Sequence, residues 1–331
     1  MLSNKYLTKQ PGGKLTNETR QMIMKMGKVE INNDILSTRD NLDCIYHYQP
    51  HNSLVVNEFN FHGIRIRSYM QEKISKDPTP ALIYLHGGGF VGGTLNSIDA
   101  TCRIWADQSL MKIYSLDYHL APENPFPAAL IDSYSFLMNL HKHADVFRID
   151  RNQIFMAGDS AGGNLTLVTA LLDSNAYLGT NFLKKIVAFY PPVSCATEGK
   201  EQFWDPTLFQ TNDDATKELV TKYIHGFLRH SANYDKWYAG NNAHNPLVSP
   251  FFTTDEQLKA LPATKIIIGE FDGLRVLTQP FAERLMQVNP KVEFSVYNGL
   301  VHAFLVKPQI FPEAHQAIND ALQFLGVESC S

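Results

Sequence analysis

The run Gly158-Asp159-Ser160-Ala161-Gly162-Gly163 joins a short apolar segment, Gln153–Ala157, directly to an apolar helical pattern, Ala161–Leu172. A chain that passes from strand to helix in so few residues has to turn sharply, and only small residues fit where the two backbones nearly touch. Such a turn forces Ser160 into strained backbone angles and lifts its hydroxyl away from the sheet. The Gly-x-Ser-x-Gly pattern alone is weak; its place at a strand–helix junction gives it weight. The plainer alternative is that Ser160 only caps the helix that follows.

The same alternation runs along most of the chain. Strands are predicted at Val55–Phe61, Ile64–Met70, Ala81–Leu85, Lys112–Leu116, Gln153–Ala157, Lys185–Tyr190, Lys265–Gly269 and Lys291–Tyr297, several of them β-branched runs bounded by Gly or Pro. Helical patterns fall between them at Ile98–Ser109, Pro127–His141, Ala161–Leu172, Leu277–Val288 and Pro312–Leu325, with Pro127 and Pro312 suited to first turns. This order predicts an α/β fold, a mostly parallel eight-stranded sheet with helices on both faces. The first two strands, joined by His62–Gly63, read instead as an antiparallel hairpin at one edge. With 44% hydrophobic and 19% charged residues over 331 positions, the chain has ample material for one large core.

Two segments break the alternation. Residues 1–50 are polar, with Met22, Ile23 and Met26 at helical spacing after the cap candidate Thr16. Residues 196–245 contain Leu219, Val220, Tyr223, Ile224, Phe227 and Leu228 at three- and four-residue spacing. Either the two pack together as a lid over the strand ends, with Met22, Met24 and Met26 as its apolar underside, or they are a peripheral helix and a surface insertion.

Three further features bear on chemistry. His86-Gly87-Gly88-Gly89-Phe90 follows the strand Ala81–Leu85, and successive glycines let backbone N–H groups face a cavity, as the oxyanion of acyl transfer requires. The donors expected are the amides of Gly88, Gly89 and Ala161, with His86 and Gly87 holding the loop. A phosphate cradle is the alternative, but no Lys-Ser/Thr follows and no Gly-x-Gly-x-x-Gly opens a helix. A nucleophilic serine also needs a base and an orienting acid, in the chain order serine, acid, histidine. Of His225, His230, His244, His302 and His315, only His302 follows the last strand in a loop able to return to the strand ends. Asp272, just after Lys265–Gly269, is the preferred acid, and Glu270 is its rival.

Composition excludes several classes. A net charge of −4 lacks the basic excess of a nucleic-acid surface. Cys44, Cys102, Cys195 and Cys330 have no zinc or redox spacing and are too few for a disulfide scaffold, which suits a reducing compartment. No apolar stretch reaches the ~18–20 residues of a membrane span, and the N-terminus has no secretory pattern, so the expectation is a cytoplasmic protein without integral membrane association.

With these residues identified, the chain resembles the hormone-sensitive lipase family of α/β-hydrolases, the group that includes bacterial carboxylesterases. The resemblance spans about residues 80–305 and rests on HGGGF (86–90), DYHLAPENPFPAAL (117–130), GDSAGGN (158–164), SPF (249–251), EFDGL (270–274) and GLVHAF (299–304), in that order. It implies a triad of Ser160, Asp272 and His302 and an oxyanion hole of Gly88, Gly89 and Ala161. It also implies a helical cap from 1–50 and 196–245 over a catalytic core of 51–195 and 246–331. The implied activity is hydrolysis of small-molecule esters with short to medium acyl chains, without metal or organic cofactor. Family members often pair through the exposed edge of the last strand, here Lys291–Tyr297, which raises a homodimer. The alternatives are an amidase or formamidase with the same triad and a non-catalytic small-molecule-binding member; the plant gibberellin receptors carry an aliphatic residue where this chain has His302. The chain departs from the family at His119 (usually Arg, expected to pair near Glu123), at Gly273 and Val276 (usually Pro and an acid) and at Ala303 (usually Gly). These read as local variation.

Overall fold

The structure, a computed structural model, describes residues 5–6, 12–26, 35–42, 44–74, 78–196 and 206–327. Its strands are β1 (Lys5–Tyr6), β2 (Leu54–Phe61), β3 (Ile64–Gln71), β4 (Thr79–Leu85), β5 (Lys112–Leu116), β6 (Ile149–Asp159), β7 (Leu183–Phe189), β8 (Ala263–Gly269) and β9 (Val292–Tyr297). Its helices are α1 (Asn17–Met26), α2 (Ile35–Leu42), α3 (Asp99–Asp107), α4 (Ala128–Lys142), α5 (Ala144–Phe147), α6 (Ala161–Asp173), α7 (Asp214–Ala239), α8 (Asp255–Lys259), α9 (Arg275–Val288) and α10 (Glu313–Leu325).

The eight expected strands form one sheet, and the two-residue β1 extends it, in the order β1-β9-β8-β7-β6-β4-β5-β3-β2. β3 runs against the other described strands: β2–β3 and β3–β5 pair antiparallel and the remaining pairs are parallel. At the β2–β3 turn His62 and Gly63 both take positive φ, 48° and 96°, the geometry whose twist matches a two-residue hairpin. β1 lies parallel to β9, with Lys5 opposite Ser295 and Tyr6 opposite Val296. It therefore covers part of the edge at which the resemblance implied pairing between copies.

The helices sort by direction of travel. From β4 the chain moves one way to β5, then back across β4 to β6 and onward to β7, β8 and β9. Right-handed crossovers consequently put α3 on one face and α4, α6 and α9 on the other. α10 returns to pack against α3, β7 and β8. α6 is buried along nearly its whole length because it lies between the sheet and α4. Cys102 and Cys195 are buried and Cys44 is exposed, while Cys330 lies outside the described residues.

The two segments outside the alternation meet in a second apolar cluster. Leu15 and Ile23 from the N-terminal segment join Phe209, Val220, Tyr223 and Ile224, and this cluster includes Phe271 and Val301 from the loops after β8 and β9 and Val276 from the start of α9. Thr16 accepts from the Thr19 amide at 3.1 Å, the cap expected for α1. Met22 turns toward this packing, whereas Met24 is exposed. No helix among the described residues is long and apolar enough to cross a membrane.

Candidate active site

β4 and β6 are neighbours, with Leu85 opposite Gly158, so the loops that leave their C-terminal ends start side by side. They do so where the chain reverses its direction across the sheet, the place at which open α/β sheets bind ligands. The approach is close because three glycines permit it. A Cβ on Gly158 would strike the Gly162 carbonyl, one on Gly162 the Leu85 carbonyl, and one on Gly87 the Asp159 carboxylate. Between them Ser160 takes φ 52° and ψ −120°, a left-handed conformation strained for any residue with a Cβ, and its N–H donates to the Phe189 carbonyl at 2.9 Å.

The loops after β8 and β9 bring the other expected groups to the same place. His302 Nε2 lies 2.9 Å from Ser160 Oγ, and His302 Nδ1 lies 2.7 Å from Asp272 Oδ2. With Nδ1–H donating to the carboxylate, Nε2 is left to accept from the serine hydroxyl. Asp272 is fully buried, and its other oxygen accepts from the Leu274 amide at 2.9 Å. Glu270, the rival acid, is occupied elsewhere: its two oxygens accept from the amides of Gly13 and Gly299, each at 2.8 Å. Burial pushes its carboxyl above the usual range. His315 packs on Tyr48, His244 on Phe252, and His225 sits exposed on α7. His230 also falls on α7, and its side chain lies outside what is described.

Gly88 and Gly89 take positive φ, 127° and 62°. Among the described residues, no acceptor pairs with either amide. The Ala161 amide, at the first position of α6, has no partner within the helix. The amides of Gly88, Gly89 and Ala161 are thus left without a backbone acceptor among the described residues. His86 holds the base of this loop: its Nδ1 is 2.8 Å from the Gly87 carbonyl, and its ring stacks on Tyr118, whose hydroxyl donates to the His86 carbonyl at 2.7 Å.

Asp159 stands inside the motif, yet nothing in the sequence marks it for a role. Its Oδ1 accepts from the Gly87 amide at 3.0 Å and from the Tyr84 hydroxyl at 3.1 Å, which ties the glycine loop to the strand carrying the serine. Full burial pushes its carboxyl up to about 6. The unfolded chain releases this proton near pH 4, so between about pH 4 and 6 the folded chain binds the extra proton. Stability attributable to Asp159 therefore falls as pH rises through that window and levels above it, by about 3 kcal/mol in all. Urea midpoints of the parent and Asp159→Asn should diverge in the variant's favour from pH 4 to 6. A constant difference would contradict the assignment.

Two aromatic rings flank the histidine. Tyr190, at the end of β7 with φ 36°, meets the imidazole at 4.8 Å, and Phe227 of α7 meets it at 4.7 Å. The departures from the family pattern also acquire reasons. Glu123 is not left with a weakened pair, because Arg39 of α2 supplies the cation, its guanidinium meeting both carboxylate oxygens at 3.0 and 2.6 Å. The same side chain donates to the carbonyls of Val91 at 2.7 Å and Ala121 at 3.1 Å, and so straps α2 to the end of the glycine loop. His119 turns instead to Asp132, 2.8 Å away. Val276 is buried in the second apolar cluster, where its side chain packs with apolar neighbours. Gly273 leaves room for Phe227. Ala303 holds φ 62°, a left-handed position that costs a non-glycine residue about 1 kcal/mol.

Comparison with known proteins agrees with the fold. The pattern of the α/β-hydrolase fold family matches residues 82–306. Esterase LipI of Mycobacterium tuberculosis is 30% identical over 249 residues, covering 75% of this chain and 72% of that protein. Among solved structures, the hyperthermophilic esterase from the archaeon Pyrobaculum calidifontis superposes with a TM-score of 0.75 at 26% identity, over 94% of this chain and 98% of that one. A thermostable esterase from Pseudomonas putida gives a TM-score of 0.78 at 21% identity over 98% and 100%, a likeness of fold. The chain belongs to the α/β-hydrolase family, in the hormone-sensitive-lipase-like group of esterases that its motifs indicated.

Proposed function

We propose that this chain is a serine carboxylesterase acting on short- to medium-chain esters, with Ser160 as nucleophile, His302 as general base and acid, and Asp272 as the group that orients and charges against His302. The observation that carries the reading is the continuous relay from Ser160 Oγ through His302 to the buried Asp272, at 2.9 and 2.7 Å. His302 takes the serine proton as Oγ attacks the ester carbonyl. The amides of Gly88, Gly89 and Ala161 hold the oxyanion, a contribution typically of about 3–4 kcal/mol per donor. His302 then protonates the departing alcohol, and water activated by the same imidazole releases the acid from the acyl-serine. Nothing in this sequence of steps calls for a metal or organic cofactor.

On this reading residues 1–50 and 196–245 form the cap and 51–195 with 246–331 the catalytic core, a division supported by the second apolar cluster between α1, α7 and the loops after β8 and β9. Diffusible esters in the cytoplasm are the fitting substrates. A homodimer built on the β9 edge would pair through β1.

Initial rates on p-nitrophenyl esters from acetate to palmitate test the proposal. Turnover that peaks at the short esters and falls away toward palmitate is expected. Rates no faster than buffer on all of them would sink it, and faster cleavage of matched anilides would move the assignment to an amidase.

A further inference from the structure

α7 crosses both loops that would hold a reacting ester and touches each with one aromatic ring. Phe227 meets the His302 imidazole at 4.7 Å between centroids. Tyr234, two helical turns further on, packs over Gly89, where a Cβ would come within 2.5 Å of its ring. Residues so spaced share one helix face and stand about 10 Å apart along the axis. Both side chains are only partly buried. Phe227 reaches the histidine because position 273 is glycine: a Cβ there would come within 2.9 Å of Phe227 Cδ1 and 3.6 Å of Ile224 and Leu228.

The chemistry assigns Phe227 to one half of the ester. A leaving alcohol takes its proton from His302 Nε2, so its oxygen must lie on the imidazole side. The carbonyl oxygen must lie on the other side, at the Gly88 and Gly89 amides. Phe227 therefore borders the alcohol half. We propose that Phe227 is the residue that sets the size of alcohol this chain accepts, admitting esters of slim primary alcohols and turning away bulky ones. Gly273 is the substitution that lets it stand there. The inference rests on the esterase reading above and adds to it which half of the substrate is selected, and by what.

The test compares kcat/KM for ethyl, benzyl and tert-butyl acetate, followed by proton release, in the parent, Phe227→Ala and Phe227→Leu. Ethyl butyrate against ethyl acetate serves as the acyl control. Phe227→Ala should raise the benzyl-to-ethyl ratio about tenfold, the scale on which a hydrophobic pocket discriminates by size. Phe227→Leu should fall between, and the butyrate-to-acetate ratio should stay put. Gly273→Ala, whose Cβ would crowd the ring at 2.9 Å, should shift the benzyl-to-ethyl ratio and leave the butyrate-to-acetate ratio in place. An equal loss on every ester would overturn the inference by showing that Phe227 only supports packing. A shift in the acyl ratio in place of the alcohol ratio would overturn it too. A parent inert to all these esters would overturn the esterase reading itself, an outcome distinct from the other two.

Discussion

Replacing Ser160 by alanine is expected to lower kcat for p-nitrophenyl acetate by about a millionfold while the protein stays folded. The size follows from the role: without Oγ no acyl-serine forms, and His302 has no proton to take from the nucleophile. What remains is the three amides beside an empty position, which leave a residual acceleration of roughly a thousandfold over water. Folding should be nearly indifferent, because alanine meets the same cost at φ 52° as serine does. Ser160→Gly makes the distinction sharper. It should be just as inactive yet more stable by about 1 kcal/mol, since glycine adopts this conformation freely. Kinetics on both variants with urea midpoints separate chemistry from strain. Substantial turnover in either, purified free of parent protein, would remove Ser160 from the mechanism.

The second large effect is expected at Gly162, which touches no substrate. A Cβ there would strike the Leu85 carbonyl oxygen and come within 2.5 Å of its carbon and 2.6 Å of the His86 oxygen. All three are main-chain atoms, so no side chain can swing aside. Gly162→Ala has to pry the start of α6 from the end of β4, separating the serine turn from the glycine loop. A loss above about 4 kcal/mol is expected, enough to exhaust much of an ordinary domain's stability. Gly226, on α7, is the control, because a Cβ there would meet nothing within 4 Å. Gly226→Ala should gain about 1 kcal/mol from helix propensity alone. Soluble yield and urea midpoints of the two variants read the contrast. A parent-like midpoint for Gly162→Ala would mean that the strand–helix contact is not what fixes the serine turn.

The strands from β2 to β9 are legible in the sequence because each is an apolar run, or in β2 and β3 a largely alternating pattern, bounded by turn residues. β1 is not: Lys5–Tyr6 is too short to carry any periodicity, and only its pairing with β9 makes it a strand. α2 escapes for a related reason, since Ile35–Leu42 is mostly polar and gains its fixed position from Leu42 against Gly92 and from Arg39. The residues of the relay are visible because chain order and strand ends restrict where a base and an acid can stand. Their supports are not. Asp159 reads as a motif letter until its contacts with Tyr84 and Gly87 are seen. Phe227 reads as one apolar helix position among several, and nothing local says which of them faces His302. Gly273, read as local variation, leaves room for Phe227 far back along the chain, and Glu123 draws its cation from Arg39 while His119 turns to Asp132.

The Arg39 strap also sets a limit on how portable the catalytic unit is. The matched stretch, residues 82–306, holds the serine, the acid, the histidine and all three amide donors, and on paper it is the whole machine. Yet the guanidinium that neutralises Glu123 and caps the Val91 carbonyl comes from upstream of it. A graft of that stretch onto another scaffold would carry the reacting groups intact and lose the Arg39 contacts at the end of the glycine loop, keeping there the Ala121 amide on the Phe90 carbonyl. Transplanting this active site means transplanting α2 with it.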